Sequence, residues 1–129
     1  MDGILVPLSP GELYDKISIL EIKSEKISDA EKLSNVRHEL ALLCDRRDDL
    51  IGPDQKLDEL YAQLKAVNLE LWDIEDDIRD CERDDDFGET FVKLARAVYF
   101  TNDRRAAIKK EINIFLGSRI VEEKSYAAY

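Results

Sequence analysis

Three polar residues in the last part of the sequence occupy helical positions that should be apolar. At 100° per residue, Arg105 falls on an apolar face between Val98 and Ile112, with Asn102 and Lys109 beside it. Guanidinium, ammonium and amide groups at one level of a helix are donors that bind carboxylate or phosphate groups. These three residues are therefore candidates for binding a small anion.

A second polar stripe follows one edge of a long apolar seam and includes Glu75 and Arg79, which are four residues apart and able to pair. Matching antiparallel helices by height brings residues from four helices to one level, where a small anionic metabolite could bind. Glu75 is the candidate catalytic acid or base. The predicted ligand-binding residues are Lys16, Arg37, Asn68, Trp72, Arg79, Asn102, Arg105 and Lys109.

A structural interpretation of the same residues remains open, and we favour it. Networks of Glu, Arg and Asn commonly set the register of helical bundles. Trp72 is by the same argument a core anchor, because its indole N–H needs only one hydrogen-bond partner.

Two further kinds of chemistry have weaker support. Glu70, Asp73 and Asp76, like Glu12 and Asp15, have the i, i+3 spacing with which helical bundles hold divalent metals, as all-α nucleotide pyrophosphatases do. Most of these carboxylates point away from the apolar seam, so we expect a solvated face, no metal and no cofactor. The run from Asn102 to Lys109 also resembles the cationic dianion site of all-helical pericyclic mutases.

The seam that must position these residues runs from Leu57 to Glu82, with apolar residues alternating every three and four positions. The composition is 44% hydrophobic and 37% charged, with five Gly and three Pro, too few turn formers for a sheet protein. We therefore predict an all-α protein that folds as one domain over residues 1–129. Its architecture should be an up-down-up-down antiparallel four-helix bundle, with an extended N-terminal strap at 1–8 lying on the bundle and a tail at 118–129.

Helix boundaries follow from capping signals. Ser9-Pro10-Gly11-Glu12 starts a first helix that should end near Ile27, and Ser28-Asp29-Ala30-Glu31 starts a second. Gly52-Pro53 ends the second helix, and Asp54 caps the third. A break at Asp84 to Gly88 separates the third helix from a fourth, which Gly117 ends.

The net charge is −10 at pH 7 and the pI is near 4.6, so we expect no binding to nucleic acid or to a membrane surface. Cys44, Cys81 and the lone His38 have no metal-ligand spacing. No signal peptide and no membrane-spanning run is present, which predicts a cytoplasmic protein.

Apolar residues outside the seams predict self-association. Ile19 and Ile22 on the first helix and Phe100 and Ile114 on the fourth would be exposed on a lone bundle. The third and fourth helices are also predicted to be longer than the others, so their far ends could project as a hairpin available for dimerisation. We expect a homodimer, with a further protein partner as another possibility.

Five parts of the sequence are distinctive in combination: Ser9–Leu13, Ile19–Lys23, Leu71–Arg79, Thr101–Ala106, and Gly117–Ser118 with Glu122–Tyr126. Together they resemble a bacterial family of uncharacterised small all-helical proteins of about this length. The resemblance implies no activity and no catalytic residues. Members of that family accompany glycosyltransferases and surface-polysaccharide proteins, which implies an accessory role in the cytoplasm.

Two functions are thus expected. The first is a non-catalytic helical binding or assembly module, accessory to surface-polysaccharide biosynthesis. The alternative is an enzyme or sensor for a small anionic metabolite, carboxylate or phosphate, held in the polar layer.

Overall fold

The computed structural model describes all residues from 1 to 129 and contains four α-helices and no strand. These are α1 (Pro10–Lys26), α2 (Ala30–Leu50), α3 (Gln55–Arg83) and α4 (Glu89–Phe115). The predicted all-α four-helix bundle is confirmed. None of the helices is both long and apolar enough to cross a membrane.

The predicted capping signals act at three of the four helix starts. The Ser9 hydroxyl accepts a hydrogen bond from the Glu12 N–H at 3.2 Å, and the Asp54 carboxylate accepts one from the Lys56 N–H at 2.8 Å. Helix α2 is capped by Asp29, one residue later than the predicted Ser28. Gly117 ends α4 with a φ of 64°, a left-handed conformation that glycine adopts without steric cost.

Helix α1 is central, since it packs against each of the other three helices. Pairing of Gly11 with Asn113 and of Asp15 with Arg105 makes α1 antiparallel to α4. The main core lies between α1, α3 and α4, and its fully enclosed residues include Leu64. The buried members of this core cluster are Tyr14, Leu57, Leu60, Leu64, Val67, Ile108 and Ile112.

Helix α2 lies at the edge of the bundle, because α1 is the only helix that it packs against. None of its residues is buried. The apolar residues Leu33, Val36, Leu40 and Leu43 are half-buried, and Leu50 is 69% exposed. The bundle therefore has a compact three-helix part and one peripheral helix. Residues of α2 that lie at the same level as residues of α3 and α4 therefore need not be close to them.

The far ends of α3 and α4 form a hairpin that carries little core of its own. We call residues Asp73–Phe100 the distal hairpin. Cys81 is its only buried residue, whereas Leu64, Val67 and Ile112 are buried where α1 covers the same two helices. Helices α3 and α4 are longer than α1 and α2, as predicted.

The two termini behave differently from each other. Residues 1–8 contain no helix or strand and all are exposed, so the expected packing of this strap on the bundle is not found. The tail folds back along α4. Glu122 pairs with Lys109 at 3.1 Å, and the Tyr129 ring lies 4.8 Å from the Phe100 ring.

Candidate functional site

The centre of the polar layer is a carboxylate that joins three helices. Asp15, on α1, is 1% exposed and accepts hydrogen bonds at both oxygens from the guanidinium of Arg105 on α4. The distance from Arg105 Nε to Asp15 Oδ1 is 2.9 Å. Asn68, on α3, donates to the same Oδ1, also at 2.9 Å. A fork of two parallel hydrogen bonds is the strongest geometry available to an Arg–carboxylate pair.

The remaining polar atoms of this layer are also paired. The Asn68 amide nitrogen donates a second hydrogen bond, to Ser18 Oγ at 2.7 Å, and Ser18 Oγ donates to the backbone carbonyl of Asp15 at 2.7 Å. Arg105 Nη1 reaches Asn102 Oδ1 at 3.4 Å. The only buried side-chain oxygen or nitrogen without a partner lies elsewhere, on Tyr61. The layer is therefore satisfied by the protein itself.

Asp15 stays ionised although it is buried. Burial by itself would raise the pKa of Asp15, but the hydrogen bonds from Arg105 and Asn68 outweigh burial and leave the pKa below its ordinary value of 3.8. The hydrogen bond to Asp15 likewise raises the pKa of Arg105, against the opposing effect of burial. The two groups thus hold each other in their charged forms.

Asp15 was missed as a site residue because its spacing from Glu12 suggested an exposed carboxylate face. A signal for its burial was present in the sequence. Gly11, Asp15, Ser18 and Ile22 recur at helical spacing, and all four are buried on α1. Small residues on either side of a carboxylate, here Gly11 and Ser18, indicate a close helix contact, and Gly11 makes such a contact with α4.

Lys109 belongs to a second polar cluster, one helical turn from Arg105. Its ammonium is 2.7 Å from a Glu12 oxygen and 3.1 Å from a Glu122 oxygen, and Lys109 is 8% exposed. Burial would lower the pKa of Lys109, but hydrogen bonds to Glu12 and Glu122 raise it. Next to this cluster, the Gly11 N–H donates to Asn113 Oδ1 at 2.7 Å.

Six of the nine predicted site residues line one open cleft of about 460 Å³. Ile19 and Leu71 supply its apolar lining, and Asp76 adds a carboxylate. The six are Asn68, Trp72, Glu75, Arg79, Asn102 and Arg105. The other three lie outside the cleft: Lys109 in the cluster described above, Lys16 on the exposed side of α1, and Arg37 on the exposed side of α2.

The carboxylates around the cleft outnumber its guanidiniums. Arg105 is bound to Asp15, and Arg79 lies 3.7 Å from Glu75, with both of those side chains at least half exposed. Two guanidiniums thus face three carboxylates, Asp15, Glu75 and Asp76. The cleft presents no surplus positive charge to an anion, and the Glu75 side chain is half exposed and paired with Arg79.

The carboxylates with metal-binding spacing do not converge: Asp15 is buried against Arg105 and Glu12 pairs with Lys109, whereas those on α3 are exposed. Glu70 pairs with Arg104, and Asp73 and Asp76 are exposed. No group of three or more His, Cys, Asp or Glu side chains is placed to hold a metal ion.

Comparison with the curated proteins and comparison with the solved structures each gave no match. A family model, by contrast, matches residues 4–129, which is nearly the whole chain. The matched range includes all four helices, the polar layer around Asp15 and the cleft. The chain therefore belongs to the family of unknown function DUF6165.

Proposed function

We propose that this protein is a non-catalytic helical module that assembles with a second copy of itself. The observation that carries the proposal is the accessible surface, which is 9151 Å² for a chain of 14.9 kDa. A compact monomer of this mass exposes about 7,000 Å². Two chains thus expose roughly 4,300 Å² more than two compact monomers would, and obligate dimers bury a total of about 2,000–5,000 Å² between their two chains.

Of the four apolar residues whose exposure predicted self-association, Phe100 and Ile114 are exposed and Ile19 is half-buried, but the prediction is wrong for Ile22, which is buried within the single chain. Only 20 of the 129 residues are buried. Exposed residues are concentrated in the strap at 1–8, in the peripheral helix α2, in the distal hairpin Asp73–Phe100 and in the tail at 118–129. The polar layer supports a non-catalytic role, because its charged groups pair with one another between the helices.

Thermal unfolding at different protein concentrations tests this proposal. If the folded state is a dimer, the melting temperature rises with chain concentration, because dissociation accompanies unfolding. We expect a monotonic rise across a hundredfold range of concentration. A melting temperature that is constant over that range would contradict the proposal.

A second candidate function is the binding of a small anionic metabolite by an enzyme or sensor. The observation in its favour is that six predicted residues line one cleft, among them Arg79, whose side chain is 68% exposed. Titration calorimetry with inorganic phosphate and with succinate tests it, using Arg79→Ala as the matched variant. Binding that is lost in Arg79→Ala would favour this function. The absence of binding heat with both probes would exclude phosphate and succinate as ligands.

We also propose that the module acts in the bacterial cytoplasm as an accessory to surface-polysaccharide biosynthesis. The support is that its sequence segments resemble a family whose members accompany glycosyltransferases and surface-polysaccharide proteins. Fluorescent fusion of the full chain in its host, with membrane and periplasmic markers as controls, tests the location. Signal that coincides with a periplasmic marker would contradict it.

A further inference from the structure

Helix α1 covers the groove between α3 and α4 along only part of its length. In the proximal half it is filled by α1, whose Asp15 and Ser18 contact Arg105 and Asn68 across it. Ile19 borders the cleft where that covering ends, together with Trp72 and Arg79. The cleft is thus the point at which the groove passes from a covered part to an uncovered part.

The uncovered part of the groove keeps an apolar seam. Ile74 and Ile78 on α3, with Leu94 and Val98 on α4, continue the alternation of three and four that is buried further back. These four side chains are only half-buried in the single chain. Two helices alone cannot enclose the seam between them, whereas a third helix encloses it in the proximal half.

The two helices of the distal hairpin carry opposite net charges. From Asp73 to Arg83, α3 has six carboxylates and two guanidiniums, a net charge of −4. From Glu89 to Phe100, α4 has one carboxylate and two cations, a net charge of +1. A two-fold axis that places α3 of one chain beside α4 of another therefore brings opposite charges together. Proteins whose surface is negatively charged are repelled by α3.

We propose that the uncovered groove of the distal hairpin receives the distal hairpin of a second copy, so that two hairpins form an intermolecular four-helix bundle. This inference rests on the proposed self-assembly and names the surface that performs it. Trp72 and Arg79 stand at the edge of this interface, and Trp and Arg are the residue types enriched among interface hot spots. The cleft is then the edge of a protein interface.

The first test uses Trp72, which is the only tryptophan in the chain. Its fluorescence is recorded over a dilution series of the unmodified protein, and the mass is measured in parallel by light scattering. We expect the emission to shift to longer wavelength as the dimer dissociates, because the indole loses its cover. A dimer that dissociates without any change in emission would overturn this inference and leave the proposed self-assembly standing. A monomer at every concentration would overturn both.

The second test serves if the dimer is too tight to dilute apart. Ile78→Lys places an ammonium in the proposed interface. Ile114→Lys makes the same change at a 70% exposed position near the end of α4, which the sequence alone suggested as a dimer contact but which lies outside the distal hairpin. We expect Ile78→Lys to weaken association at least about 30-fold, the size of a hot-spot loss, and Ile114→Lys to leave it unchanged. Circular dichroism confirms that both variants fold. A folded Ile78→Lys dimer as tight as the parent would overturn the inference.

If Ile78→Lys does not fold, acrylamide quenching of Trp72 fluorescence in the parent dimer replaces this test. We expect the indole to be protected from acrylamide, and an indole open to acrylamide would overturn the inference.

Discussion

Asp15 and Arg105 form a forked ion pair between the first and last helices, with Arg105 Nε 2.9 Å from Asp15 Oδ1 and the carboxylate 1% exposed. Asn68 adds a hydrogen bond from the third helix to the same oxygen. One buried carboxylate thus fixes the relative positions of α1, α3 and α4. A shift of any of these helices by one turn would leave a buried charge unpaired, which is how such a pair sets register.

The first prediction concerns Arg105→Met. Removing the guanidinium leaves the buried Asp15 carboxylate without its cation, and breaking a buried pair in this way costs about 3–5 kcal/mol. Urea unfolding of the variant and the parent measures the loss. If Arg105 were instead held in place for an anionic ligand, the methionine variant would be as stable as the parent or more so.

Arg104→Met is the matched control for that experiment. Arg104 is the neighbouring residue and pairs with Glu70, but both side chains are more than half exposed. Exposed pairs contribute about 0–1 kcal/mol. A loss for Arg104→Met as large as that for Arg105→Met would show that burial of Asp15 is not the cause.

The second prediction concerns pH. Because the folded-state pKa of Asp15 is below its unfolded value of about 3.9, its stabilisation is complete above that value and is lost as the pH falls through the folded pKa. The difference in unfolding free energy between the parent and Asp15→Asn should therefore be constant from pH 7 to about pH 5 and shrink below about pH 4. Guanidinium titrations at each pH measure it, and a difference that grows on acidification would contradict this account.

The third prediction concerns the close approach of α1 and α4 at Gly11. A Cβ at this position would lie 2.4 Å from the backbone oxygen of Lys109 and 3.0 Å from Asn113 Oδ1. Gly11→Ala should cost about 1–3 kcal/mol, as overpacking against backbone does. Gly52→Ala is the control, because no atom lies within 4 Å of its Cβ position. Equal thermal stability of the two variants would show that the helices do not meet this closely.

The fourth prediction concerns Tyr61, whose buried hydroxyl has no hydrogen-bond partner. Burial, followed by the neighbouring Glu21 carboxylate, raises the pKa of Tyr61, so the hydroxyl remains protonated. Tyr61→Phe removes an unsatisfied polar group and should raise the unfolding free energy by about 1 kcal/mol. Tyr99→Phe, at a 41% exposed position, should have no effect. Destabilisation by Tyr61→Phe would show that the hydroxyl bonds to Glu21.

Much of the fold was predictable because its signals are local. Ser9 and Asp54 cap helices where a short side chain can reach free N–H groups, and the seam of α3 repeats over seven turns. The residues that line the cleft were largely predictable for the same reason. Six of them lie at helical spacing on just two helices, α3 and α4, whose antiparallel register follows from one short connection.

The placement of Lys16 and Arg37 was not predictable in this way. Helix α2 packs against α1 alone, so Arg37 does not meet the residues of α3 and α4 that lie at its level. Lys16 lies on the exposed side of α1, although the residue before it is buried. The role of Asp15 depends on a tertiary contact with Arg105, 90 positions away. Periodicity shows which residues share a face, but the partner of a buried charge is decided by packing.

Sedimentation equilibrium of the unmodified chain measures whether two copies associate. We expect a mass of twice 14.9 kDa at micromolar concentration. We expect the mass to fall toward that of a single chain when Ile78→Lys replaces the parent. A mass of one chain for the parent over the whole accessible range of concentration would contradict the claim that this protein is a self-assembling module.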